Sequence, residues 1–162
     1  MKVAIIGHGP SLLKAQKGQE IDGHDVVVRI KRSWQLPEIY PEFYGTRTDY
    51  VCGSMTLGEG VVKPWHDKGV RKFWLFVDQR TKDLPTAMEE TLDRDYGGVH
   101  CDRELCAKWR DIYINLRWPI ERDPQQVMNA LLSDEMGHRH QSAGSHAIMY
   151  ALDVLRPKSI SL

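Results

Sequence analysis

The sequence predicts an α/β protein, a Rossmann-like parallel sheet flanked by helices, in a single domain over residues 1–162. Three observations predict it. Short apolar runs bounded by Gly, Asp or Pro recur along the chain. Stretches with apolar residues at helical spacing lie between them. The first run, VAII, passes directly into the turn Gly7-His8-Gly9-Pro10-Ser11, as in a strand–loop–helix unit. Such alternation builds parallel βαβ units.

Residues 2–6 read as a buried strand, and a helix-compatible segment follows from Leu12. DVVVRI (25–30) is the second strand. Residues 33–46, with Pro37 and Pro41, form an irregular or partly helical excursion, a kind of segment that often carries function. Residues 49–52 and KFWLFV (72–77) are the third and fourth strands. In the helix expected over 84–93, Met88 and Leu92 stand four apart; 98–101 is a weak fifth strand. Leu105, Trp109, Ile112 and Leu116 share one face of a helix over 104–116. A helix over 124–136 starts with Asp123 as N-cap and Pro124 in the first turn. In the helix over 142–155, Ala143, Ala147, Ala151 and Leu155 lie along one line, and Pro157 stops it. Residues 159–162 are the last strand.

Composition narrows the function classes. Lys and Arg together number 22, as do Asp and Glu, so the formal net charge is zero. A dedicated nucleic-acid binder carries a basic excess, and none is expected here. No apolar run reaches the roughly 18 residues of a membrane span, and the N-terminal residues lack a leader pattern. Three cysteines, Cys52, Cys101 and Cys106, cannot all pair, which suits a reducing compartment. The expected location is the cytoplasm. His100, Cys101 and Cys106 do not match a zinc-ligand spacing, and no metal site or cofactor is expected.

The first loop has phosphate-binding logic. Gly7 and Gly9 let backbone amides approach a ligand, Pro10 stiffens the turn, and Ser11 offers a cap or a phosphate donor. GHGPSL has neither the third glycine of the dinucleotide fingerprint nor the Gly-Lys-Ser/Thr of a Walker loop. The loop alone leaves nucleotide binding and a plain strand–helix turn both open.

Four ordered pieces go further: Gly7 to Ser11; Glu20-Ile21-Asp22-Gly23-His24-Asp25; the strand Val26 to Arg29; and Gly45-Thr46-Arg47-Thr48. Together they resemble the large donor-binding motif of the sialyltransferases, the eukaryotic-type glycosyltransferase family 29, also found in some viruses and bacteria. QSAGSHAIMYALDVLRPKSISL, with its loop Gln141-Ser142-Ala143-Gly144, is similar to that family's small motif. The resemblance covers about residues 2–54 and 139–162. It implies that both loops face one crevice and hold the nucleotide of a CMP-linked sugar donor without a metal. The residues implied are Gly7, His8, Gly9, Pro10, Ser11, Arg29, Lys31, Gly53, Ser54, Ser142, Ala143 and Gly144.

The sequence departs from the family at identifiable places. His8 and Lys31 stand where the family has Asn. The cysteine pair joining the two motifs in secretory members is absent, with Val3 and the neighbourhood of Leu155 in that region. The family's base-bearing segment follows the small motif, and the sequence ends at Leu162. An inverting transfer needs a base for the acceptor hydroxyl and positive charge for the leaving phosphate. Both loops carry histidine, so His8 and His140 are the candidate catalytic residues. Arg29 and Arg47 are candidate phosphate partners or members of a structural ion pair, and Trp34 is the best candidate to stack on a ligand. His24 and Asp25 are expected to cap a turn.

The expected function is therefore a sialyltransferase-like transfer to an undetermined glycan or small-molecule acceptor. The alternatives are a nucleotide or nucleotide-sugar hydrolase and a non-catalytic nucleotide-binding protein of viral or bacterial origin. A homo-oligomer completing the crevice is left open.

Overall fold

The computed structural model describes residues 1–7, 10–31, 33–55, 58–76, 86–106 and 143–162. Six strands form one all-parallel sheet: β1 (Lys2–Ile6), β2 (Val26–Ile30), β3 (Tyr50–Ser54), β4 (Phe73–Phe76), β5 (Val99–His100) and β6 (Ser159–Ser161), in the order β5-β4-β3-β2-β1-β6. The α/β class expected from the sequence is the class observed. VAII and FWLF are unbroken apolar runs, and VVVRI is interrupted only by Arg29, because parallel strands are covered on both faces.

Register divides each strand between two layers. Val3, Ile5, Val28, Ile30, Cys52, Trp74 and Phe76 point to one face. There they pack on Ala147, Tyr150 and Ala151 of the C-terminal helical segment, α6 (Ala143–Tyr150) with a π-helical turn Ala151–Leu155. Ala4, Ile6 and Val27 point to the other face, against Ile21 of α1 (Gly18–Asp22) and Tyr44 of α3 (Pro41–Tyr44). Val51, Phe73 and Leu75 face Val61, Val62 and Trp65 of α4 (Gly58–Asp67) and Leu92 of α5 (Thr86–Tyr96). The short α2 (Leu36–Ile39) precedes α3. Neighbouring strands β1 to β5 thus keep their connecting helices on one face, and the return to β6 places α6 on the other. Val3 and Leu155 share one cluster, so apolar packing occupies the place considered for a cysteine pair.

Two expectations are corrected here. The segment after the first loop is a 3-10 turn, Pro10–Lys14, rather than a helix from Leu12, and α1 begins only at Gly18. A short 3-10 turn aligns few peptide dipoles, so a helix N-terminus does not face the first loop. The expected helix over 142–155 is α-helical only to Tyr150. Residues 103–106 are helical, consistent with a helix beginning near 104; the rest of that helix and the one expected over 124–136 lie outside the described residues.

Candidate functional site

In a parallel sheet, ligands bind beyond the carboxyl ends of the strands. The stacking of α6 shows what covers that edge. His146, in its first turn, lies flat on Phe76, the last residue of β4, with ring centroids 3.9 Å apart and planes at 12°. One turn later Tyr150 stacks on Trp74, two residues earlier in the strand, at 5.3 Å and 13°. The helix therefore starts at the carboxyl edge and runs back along the sheet.

The Tyr150 hydroxyl accepts from Asp102 N at 3.0 Å and donates to Leu75 O at 3.3 Å, which fixes this orientation. The sequence carries no local signal for this pairing, because Phe76 is 70 positions from His146 in the chain.

Gly7, Lys31, Ser54 and Gly144 fall on this same edge: after β1, after β2, at the end of β3 and in the first turn of α6. A Cβ at Gly7 would meet no described atom within 4 Å, so none of the described side chains packs directly on this position. Ser54 is buried beside Phe76 in register. The backbone of Pro10 and Ser11 follows in the 3-10 turn, and Ala143 opens α6. His8, Gly9, His140 and Ser142 lie outside the described residues.

Lys31 has the most unusual backbone on this edge. Its φ is 56°, a left-handed value that non-glycine residues adopt seldom and at a cost. Two contacts impose it. Lys31 N donates to Cys52 O at 2.8 Å, and Lys31 O accepts from Trp65 Nε1 at 2.8 Å. The half-buried side chain has no carboxylate within ion-pair distance among the described residues. Trp65 was one of five tryptophans in the sequence with no distinguishing local pattern; its role depends on α4.

Arg29 is placed differently from a phosphate ligand. It is fully buried. Its Nε donates to Thr48 Oγ1 at 2.8 Å and to Arg47 O at 3.2 Å. Its Nη2 donates to the carbonyls of Tyr44 (2.8 Å), Gly45 (3.2 Å) and Arg47 (2.9 Å). The guanidinium is thus committed to the loop entering β3, while Nη1 is buried without a partner. Burial lowers its pKa to about 10, against the pull of Asp22, and it stays charged at neutral pH.

Arg47 is likewise occupied, with His24 O and Asp25 O at 2.6 Å each and Asp49 at 3.0 Å. Asp22 accepts from Thr46 N, Thr46 Oγ1 and Arg47 N at 2.9–3.0 Å. His24 links Glu20 O to Ser161 Oγ, and Asp25 accepts from Lys2 N. The EIDGHD and GTRT pieces therefore bind each other, across the start of the sheet.

Gly53 serves packing as well. A Cβ there would come within 3.1 Å of Val61 Cγ1, so its bare backbone receives α4. Gly53→Val is expected to overpack this contact and destabilise the fold by about 1–3 kcal/mol in urea unfolding. An unchanged midpoint would mean that α4 has room to move.

Trp34 packs partly buried against the cluster around Val51 and Met55 rather than standing free for stacking. Burial pushes the Cys52 thiol up, and the Cys101 thiol up to about 12, so both stay protonated at neutral pH and neither is a ready nucleophile. Among the described residues no cysteine forms a disulfide, and no three His, Cys, Asp or Glu side chains converge as a metal-binding set. No described helix is long and apolar enough to cross a membrane.

No protein-family model matches the chain, and no curated protein matches it significantly.

Proposed function

We propose that the protein is a sialyltransferase-like glycosyltransferase that takes a CMP-linked sugar donor, without a metal, at the carboxyl edge of its sheet. The observation that carries this reading is that three elements of the two motif-like segments fall on that edge. They are Gly7 after β1, Lys31, whose ammonium has no carboxylate partner among the described residues, and the first turn of α6. Backbone amides, small residues and one cation form a suitable donor set for a phosphodiester. His8 and His140 are the proposed bases for the acceptor hydroxyl. The acceptor is a glycan or small molecule. An odd count of three cysteines suits a cytoplasmic location.

Calorimetric titration with CMP, UMP, AMP and CMP-sialic acid tests the reading. Selective binding of the cytidine ligands is the expected result, followed by donor turnover that requires an added acceptor. Turnover without an acceptor would identify a hydrolase, and binding without turnover a nucleotide-binding module. If none of the four ligands binds, the donor-site reading is wrong.

A further inference from the structure

We propose that Lys31 is the cation that stabilises the departing phosphate, and that it favours the charge developed in the transition state over that of the bound donor. The proposal rests on the donor reading above.

Fixing a long, charged side chain in a left-handed backbone is unfavourable unless its surroundings impose it. Here they do so from two elements: β3 holds the amide of Lys31 and α4 holds its carbonyl. The backbone is pinned, yet the ammonium is left without a carboxylate among the described residues. This differs from Arg29 and Arg47, whose guanidinium groups are tied to backbone carbonyls at the start of the sheet. Lys31 is therefore a cation at the end of β2 that, among the described residues, remains available to an anion, on the same edge as Gly7.

The reaction gives that charge a use. The bond between the anomeric carbon and the phosphate oxygen breaks, and its electron pair stays on that oxygen. The acceptor oxygen bonds to the anomeric carbon, and its proton passes to His8 or His140. The phosphate changes from a singly charged diester to a monoester that is mostly dianionic near neutral pH. An ammonium carried on that pinned backbone gains attraction as the second charge develops, so it lowers the barrier instead of merely tightening donor binding. A neutral amide at this position would gain less.

The test compares two ligands that differ in this charge, cytidine monophosphate and its methyl phosphodiester, by calorimetry at pH 8. Wild type is expected to bind the monoester about tenfold more tightly. Lys31→Asn tolerates the left-handed backbone and is expected to reduce the difference to about twofold or less. Lys31→Arg, which keeps the charge, is expected to retain most of it. Thermal unfolding of each variant confirms that it is folded, with Lys31→Gly as a second neutral variant free of backbone strain.

Equal binding of both ligands by wild type, or an equal loss for both in Lys31→Asn, would overturn the proposal and leave the donor site standing. Failure of both to bind wild type would overturn the donor reading and this proposal with it.

Discussion

Arg29→Ala is expected to lower folding stability by about 3–5 kcal/mol, while the folded fraction keeps its affinity for CMP. The guanidinium is fully buried and donates to the carbonyls of Tyr44, Gly45 and Arg47 and to Thr48 Oγ1. Alanine removes these donors together and leaves the carbonyls unsatisfied where water cannot readily replace them. It also opens a cavity beside Ile6 and Val51, the neighbours of Arg29 in register. Arg29→Lys is expected to recover only part of the loss, because one ammonium cannot reproduce the planar fork that spans Thr48 and three carbonyls. Urea unfolding followed by tryptophan fluorescence measures the change. A loss under about 1 kcal/mol would mean that the loop finds other donors. A selective loss of CMP affinity in a stably folded variant would return Arg29 to the binding site.

The contrast between Arg29 and Lys31 explains how much of this protein is legible in its sequence. The strands were legible because a sheet covered on both faces needs continuous apolar runs. Each of the six expected strands appears within two residues of its expected ends. The α4 helix was not expected, since GEGVVKPWHD carries two glycines and an internal proline. That proline costs about 3 kcal/mol and each glycine about 1. Burial of Val61, Val62 and Trp65, at about 1.5–3 kcal/mol for each side chain of valine size, offsets them through contacts with distant strands.

Local pattern likewise located the strand ends that carry a candidate site, but it could not distinguish a cation held by loop carbonyls from one two residues later that has no carboxylate partner among the described residues. That difference depends on the loop at residues 44–48, 15 or more positions from Arg29. It depends equally on Trp65, 34 positions from Lys31.

The same loop makes folding stability dependent on acid through Asp22. Partial burial pushes its carboxyl up, but hydrogen bonds from Thr46 and Arg47 outweigh this and hold it below the usual carboxylate range. A carboxyl with a depressed folded pKa stabilises the fold in full above its unfolded value, near 4. That contribution fades as pH falls from there through the folded value. Asp22→Ala is expected to cost about 2–4 kcal/mol at pH 7, the loss of a charged acceptor shared by two amides and a hydroxyl.

Gly45 fits the loop closely around that carboxylate. Its φ of 66° favours glycine, and an added Cβ would sit 2.4 Å from Asp22 Oδ1. Asp22→Asn retains the size but not the charge, so its deficit against wild type is expected to be largest at neutral pH and to shrink below about pH 4. Unfolding free energies at pH 7, 5, 4 and 3 measure this. A deficit that stays constant across the series would show that shape, rather than the carboxylate charge, holds the loop. A shrinking deficit would make the EIDGHD segment an electrostatic clamp on the entry to β3. Midway along, that strand supplies the Cys52 carbonyl that fixes the backbone of Lys31.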